Sequence, residues 1–298
     1  MRVCAIVVTF KRPELLQRCL NALLAQTRPL DGILVVDNAS GDGTVEMLRE
    51  KFPSVEVLEL GENSGGAGGF HAGMEHAFEQ GYDWLWLMDD DGHAAPDCLQ
   101  LLLDATDEPG ARIPMQRDES GRFYGVGQWP HFETDITAQV MAGGKPVEGH
   151  FLFAFVGPLI HRDVVAKIGL PIREFFIWFD DVEYALRIQT RAKMPIVAVP
   201  GAVFHHNFGS VKKEARFLWR RSMRGYFAPW KLYYGTRNPI YIILHRRRSR
   251  AELYRFLALQ AKHLAGEIIF NPEDRGERLR QRLRGLRDGL RGELGKRH

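Results

Sequence analysis

The stretch Tyr82–Gly92, YDWLWLMDDDG, runs from a short aromatic-rich apolar segment straight into three consecutive aspartates and a glycine. An apolar run of this length, bounded by Gly81 before it and an acidic turn after it, reads as a strand buried on both faces. The acids then sit at a strand's carboxyl end. Side chains alternate along extended chain, so Asp89 and Asp91 are expected to point one way and Asp90 the other. Three adjacent carboxylates repel each other, and a divalent cation or a set of hydrogen-bond donors relieves that repulsion. Hard oxygen ligands of this kind suit magnesium or manganese held partly through substrate phosphates. The plainer alternative is a solvated acidic turn.

Working outward, Val3–Thr9 reads as a strand, and Pro13 opens a helix in which Leu15, Leu16, Cys19, Leu20, Leu23 and Leu24 recur at helical spacing. Ile33–Val36 is the next strand. It delivers Asp37 and Asn38 into the turn-rich loop ASGDGT, where Asp42 or Thr44 caps a helix over Val45–Lys51. Val55–Leu60 makes a third strand, followed by the loop GENSGGAGG and a helix from about Phe70 to Gln80. Strands alternating with helices imply βαβ units and a mostly parallel sheet, with a ligand crevice at the carboxyl ends of the strands. Thr9, Asp37, Asn63 and Asp89 all fall there. The glycine run has neither the GxGxxG register of a dinucleotide site nor the lysine of a P-loop. Four glycines in the five positions 65–69 point to close approach of backbone to a ligand, tight helix-on-strand packing being the alternative. A first strand ending in TFKRPE speaks against a dinucleotide-binding dehydrogenase.

A second acidic cluster follows an irregular region, residues 108–149, and an apolar stretch, His150–His161. After a short helix over Val164–Ile168 that ends at Gly169, the aromatic run FFIWF (175–179) leads into Asp180, Asp181 and Glu183. These acids occupy the first turn of a helix, where the macrodipole favours negative charge. Apolar and aromatic surroundings raise a carboxyl pKa toward the range of a general base. Beyond a strand over Met194–Val199 lies GAVFHHNFG, from which either His205 or His206 is within range of a metal at the first cluster. An imidazole in an oxygen-rich sphere favours manganese over magnesium.

Composition is that of an ordinary soluble globular protein of 298 residues, without low-complexity tracts or internal repeats. The odd set Cys4, Cys19 and Cys98 lacks metal-ligand spacing and reads as reduced thiols of a cytoplasmic protein. Neither a leader peptide nor a bilayer-spanning stretch is expected. The net charge of +3 is unevenly spread: residues 212–298 hold 23 Lys and Arg against 8 Asp and Glu, an excess of +15 that leaves −12 for the rest. Cations mix there with aromatics, as in Phe217, Trp219, Arg220, Arg221, Trp230 and Lys231. Helices resume at Ala251, and Leu279, Leu283, Leu286, Leu290 and Leu294 line one face of a last helix otherwise rich in arginine. Such a face suits the inner surface of an anionic cell membrane, packing on the body of the protein, or a second copy in a homo-oligomer. No nucleic-acid motif accompanies the charge, so no nucleic-acid partner is expected.

Taken together, AIVVTFKRPELLQRCLNALLAQT, ILVVDNASGDGT, NSGGAGGFHAGM, WLWLMDDDG, GLPIREFFIWFDDVEYALRI and VFHH, in this order, resemble family 2 glycosyltransferases of the GT-A fold. The resemblance covers roughly residues 1–210 and is nearest the bacterial rhamnosyltransferase and galactofuranosyltransferase branch. It implies an α/β catalytic domain over 1–210, with residues 1–100 as the nucleotide-sugar half and 101–210 as the acceptor half. Residues 211–298 follow as a basic, aromatic-rich helical region.

The resemblance also implies roles. Thr9, Arg12 and Asp37 would hold the pyrimidine and ribose of a dTDP- or UDP-sugar. Gly65, Gly66 and Gly68 would pass along its sugar-phosphate side, Asp89 would face ribose or metal, and Asn63 and Asp90 would also bind the donor. Asp89, Asp91 and His205 would bind Mn2+ or Mg2+. Asp181 matches the catalytic base, with Trp178, Asp180 and Glu183 toward the acceptor, a glycan or lipid-linked hydroxyl. His71 stands where relatives often carry an asparagine or arginine, a departure that bears on donor choice. The expected reaction is an inverting transfer. The rival of another class is a non-catalytic nucleotide-sugar-binding scaffold subunit of a glycan assembly complex, which has no use for the second acidic set. A nucleotidyltransferase would carry a basic glycine-rich loop after its first strand, and none is present.

Overall fold

Seven consecutive buried residues, Val3–Thr9, form β1, an interior strand of the main sheet. The computed structural model describes residues 1–128, 131–207, 211–217, 220–270 and 274–297, and their side chains except at 131–134, 211–217, 220–225 and 267–270. Two compact units emerge, one of residues 1–173 and 180–207, the other of residues 174–179 and 208–298.

In the first unit, β1 is followed by α1 (Pro13–Leu24), β2 (Gly32–Asp37), α2 (Thr44–Lys51), β3 (Glu56–Glu59), α3 (Gly65–Glu79), β4 (Trp84–Asp89), β5 (Gly92–Ala94), α4 (Cys98–Asp104) and β6 (Ala111–Arg117). Parallel pairing sets Thr9 beside Asp37 and Val8 beside Asp89, so the polar ends of three strands come out together. From β3 the sheet runs through β2, β1 and β4 to the antiparallel strand Leu159–His161, then β6, the long strand Ile196–His206 and Val147–Glu148. Helices α5 (Thr137–Gly143), α6 (Arg162–Ile168) and α7 (Asp180–Arg187) complete the unit. The core gathers Leu16, Leu20, Trp86, Met88 and Phe204. Trp86 is fully buried, and its indole N–H is satisfied by the Gly157 carbonyl at 2.8 Å.

Two elements depart from sequence expectation. The glycine run is the first turn of α3, which begins at Gly65 and not near Phe70. Glycine is a poor helix former, but a Cβ on Gly69 would lie 2.5 Å from Val8 Cγ1, and one on Gly73 2.5 Å from Ile6 Cγ2. The helix therefore rests directly on β1, and close packing outweighs propensity. The strand expected to end at Val199 continues to His206, shifting register between Val199 and Val203 and then pairing with β5 and β6.

The second unit contains the antiparallel ribbon Val211–Phe217 with Arg220–Tyr226, followed by α8 (Pro229–Ile242), α9 (Arg250–Phe270) and α10 (Arg275–Arg291). The side chains of Phe217, Trp219, Arg220 and Arg221 lie outside the described residues. Sequence reading missed α8, whose mixture of aromatics and cations shows no clean stripe and which contains Pro239. It is held by α10: a Cβ on Gly285 would meet the Tyr233 carbonyl oxygen at 2.4 Å, and one on Gly289 the Arg237 carbonyl oxygen at 2.9 Å.

Because the space beside Gly73 is already filled by Ile6 and Val36, Gly73→Val is expected to lower unfolding stability by about 1–3 kcal/mol, measured by urea denaturation. An unchanged midpoint would show that α3 does not bear on the sheet at this point.

Candidate active site

The ends of β2 and β3 open on a cleft of about 600 Å³ lined by Asp37, Ala39, Gly41, Asp42, Gly43 and Glu59. Asp37 is only 3 % exposed; one carboxylate oxygen accepts from the Ser40 backbone N–H at 3.1 Å, whereas Oδ1 is buried with no hydrogen-bond partner. An orphaned buried carboxylate oxygen is costly. Next to it Asn38, which sequence reading did not single out, ties β2 to α3. It accepts from Ser64 N at 2.8 Å and donates to the Gly65 carbonyl at 2.9 Å. Asn63 accepts from Gly65 N at 2.8 Å, so it shapes the entry to α3. Of the glycines assigned to the donor, Gly66 has open space where a Cβ would stand, while one on Gly68 would strike Ser64. His71 donates from Nδ1 to the Pro171 carbonyl at 2.7 Å.

Expected alternation along the acidic run stops at Asp89, because the chain turns there toward β5. Asp90 is buried and accepts from Thr9 Oγ1 at 2.7 Å. Arg12 Nη1 reaches both Asp90 Oδ1 at 3.3 Å and Asp91 Oδ2 at 2.7 Å. Thr9 and Arg12, assigned from resemblance to the nucleotide, are thus engaged with the acids. Burial works to raise the Asp91 carboxyl, but His206 and Arg12 outweigh it and hold it below the ordinary range. Asp89 goes the other way: burial, then the charges of Asp91, Asp90 and Asp180, push it well above the ordinary range.

Strand geometry separates the two histidines. His206 Nε2 lies 3.4 Å from Asp91 Oδ1 without hydrogen-bond alignment, and its Nδ1 is 2.9 Å from Tyr124 Oη. His205 points to the opposite side, where its ring stacks on His93 with centroids 4.9 Å apart. The histidine beside Asp91 is therefore His206 and not His205. Among the described residues, no three His, Cys, Asp or Glu side chains are assembled as a metal cage, so Asp89, Asp91 and His205 do not form one.

Asp180 and Asp181 begin α7, as the sequence suggests. Asp181 Oδ1 accepts from Val182 N at 2.7 Å, and its carboxyl also takes a hydrogen bond from the Phe155 backbone; burial nonetheless pushes it up to about 6. Asp180 is buried and driven well above the ordinary range by burial and by Asp181. Because Asp180 also acts on Asp89, the two acidic clusters lie within electrostatic reach of each other.

Glu183, assigned to the acceptor, is wholly buried and paired with Arg187 Nε at 2.8 Å. Arg187 also donates to the carbonyls of Ile168 and Leu170, at 2.5 and 2.8 Å. The glutamate stands on the same helical face as Arg187, one turn on, so the pair anchors α7. Trp178 belongs to the second unit, where its ring meets Phe227 edge-on at 5.2 Å.

Comparison with known proteins agrees with this architecture. Residues 4–155 match the model of glycosyl transferase family 2. Over 260 residues the chain is 31 % identical to galactofuranosyltransferase GlfT1 of Mycobacterium tuberculosis, covering 81 % of this chain and 82 % of that one. It is 23 % identical to dTDP-rhamnosyl transferase RfbF of Shigella flexneri over 98 % of this chain and 97 % of that one. Among solved structures it resembles GalNAc-T7 with UDP, GalNAc and Mn2+ at a TM-score of 0.58 and 16 % identity, over 69 % of this chain and 44 % of that one, a likeness of fold. The chain belongs to glycosyl transferase family 2 and has the GT-A fold. Its place in the family is the branch of galactofuranosyl- and rhamnosyltransferases.

Removing Arg187 strands a buried carboxylate. Arg187→Met is expected to cost about 3–5 kcal/mol of stability, and the double variant Glu183→Leu/Arg187→Met to recover much of it, both by chemical denaturation. Equal stability of the parent and Arg187→Met would show that the pair does not hold α7.

Proposed function

We propose that the protein transfers galactofuranose or rhamnose, with inversion, from a UDP- or dTDP-sugar to a hydroxyl of a lipid-linked or cell-surface glycan. The observation that carries this reading is the Asp181 carboxyl, raised to about 6 by burial, next in the chain to Asp180, whose charge acts on Asp89. A carboxylate with that pKa is ionised near neutral pH and still basic enough to accept a proton from an alcohol in a transition state. The unpartnered Asp37 Oδ1 fits the imide N–H of a pyrimidine. Residues 1–100 form the donor half and 101–210 the acceptor half. The 31 % identity to GlfT1 supports galactofuranose, and the match to RfbF keeps rhamnose in view. Three buried free thiols, Cys4, Cys19 and Cys98, are consistent with a cytoplasmic site of action.

A divalent cation fits the residues present. Asp91 Oδ1 is buried without a hydrogen-bond partner, and His206 stands beside it. Mg2+ or Mn2+ takes one or two protein carboxylates and completes its shell with phosphates and water. Asp91, with His206 beside it, would hold the ion; when bound, it would supply charge that stabilises the departing diphosphate. In this mechanism Asp181 removes the acceptor's hydroxyl proton as that oxygen bonds to the anomeric carbon from the face opposite the nucleotide. The bond from that carbon to the diphosphate oxygen breaks through an oxocarbenium-like state. Arg12, already placed on Asp90 and Asp91, keeps the acidic turn in one conformation.

Asp181→Asn is expected to lower kcat by roughly 10²–10⁴ while leaving the calorimetric Kd for UDP unchanged. Near-normal turnover would remove Asp181 from its role. The pH profile offers an independent check. Because the base must be deprotonated and its pKa is raised, kcat/KM should fall with slope one below about pH 6 and stay level above it. A profile that is flat through pH 5 would place the base elsewhere.

A further inference from the structure

Helix α10 is amphipathic in an unexpected sense. Its buried positions are Arg278, Gly285, Asp288 and Gly289, the small and polar face that packs on α8. The leucine stripe is not consumed by that contact: Leu283 and Leu290 are 49 % and 47 % exposed, and Leu279 and Leu286 remain partly exposed. Arg280, Arg284, Arg287 and Arg291 repeat the leucine spacing one residue further on, so a cationic stripe runs directly beside the apolar one. A shallow groove there is lined by Leu279, Leu283, Arg280, Arg284 and Arg287. Across Arg275–Arg291 seven arginines face two acids, Glu277 and Asp288, and Asp288 is turned inward.

We propose that this outer face of α10 docks on an anionic lipid surface, leucines entering the acyl boundary and arginines on the phosphates. The charge selects the occupant. Two copies of a helix carrying a net +5 repel each other face to face. A nucleic-acid backbone would take the arginines and leave the leucines in water. Only a lipid interface offers anionic headgroups and hydrocarbon side by side at this scale, and long arginine side chains reach headgroups while their stems lie along apolar surface. No helix among the described residues is long and apolar enough to cross a membrane, so α10 lies on the surface.

The full-length chain should co-sediment with vesicles of equal parts phosphatidylcholine and phosphatidylglycerol and not with phosphatidylcholine alone. The variant Leu283→Gln/Leu290→Gln should lose about tenfold or more of that partitioning, with its melting temperature and UDP affinity unchanged. Arg284→Gln/Arg291→Gln should lose binding to the anionic vesicles by a similar factor and flatten its salt dependence. Indifference of the parent chain to anionic vesicles at low salt would overturn the proposal, as would equal partitioning of parent and leucine variant. A dimer in light scattering that the leucine variant dissociates would overturn it in favour of a second copy. None of these readouts depends on sugar transfer, so the result stands apart from the catalytic reading.

Discussion

The guanidinium of Arg12 lies across Asp90 and Asp91, and the hydroxyl of Thr9 closes on Asp90 from the other side. Three carboxylates at the end of a strand buried on both faces would otherwise repel one another in a poorly solvated place. With Asp90 held in this way, the loop after β1 and the turn after β4 become one structure. Lys11 takes a left-handed φ of 58° there and donates from its backbone to Ser40 Oγ at 3.0 Å, which joins the end of β2 to the same group. The cleft lined by Asp37 is thus tied to the acids by hydrogen bonds. The Arg12 side chain is half-exposed, so its contribution is screened and lies more in conformation than in stability.

A different constraint governs the second unit. Phe176, Trp178 and Phe179 all adopt positive φ, of 68°, 63° and 68°. For bulky side chains this costs about 1–3 kcal/mol each. The donors that meet the segment come from α8. Asn238 Nδ2 donates to the carbonyls of Phe175, Ile177 and Trp178, at 3.1, 2.9 and 2.9 Å. Arg237, wholly buried, donates to the carbonyls of Glu174, Phe175 and Gly295 while its guanidinium lies over the rings of Tyr233 and Tyr234. The chain leaves this strained segment directly into Asp180. An aromatic run that looks in sequence like core filling is, in space, backbone held in an uncommon conformation by two side chains some sixty residues away.

Buried strands and acid positions were legible because they follow from local rules. YDWLWLMDDDG announces a buried strand and its carboxyl end, VCAIVVT and ILVVD announce its neighbours, and the βαβ alternation makes them parallel. The glycine run was harder, since Gly65–Gly73 has low helix propensity and only contact with Ile6 and Val8 explains why it is helical. Glu183 and His205 show the same limit. Each has the right chemistry in the right motif, yet one is turned to Arg187 inside the protein and the other to His93 across a strand pair. Asn38 and Asn238 carried no signal, because an asparagine in a turn or an aromatic helix has many ordinary uses.

From the residue order alone came the family, the parallel sheet, the two acidic clusters and a basic leucine-striped last helix. These depend on periodicity and on the identity of neighbours in the chain, which are properties of one dimension. Which histidine stands at Asp91, which acid of FDDVE is paired with Arg187, and which face of α10 is left outside were decided only by tertiary packing. Each of those choices turns on a partner distant in sequence: β5 for the histidines, the Ile168–Leu170 turn for Glu183 and Arg187, and the α8 backbone for Gly285 and Gly289.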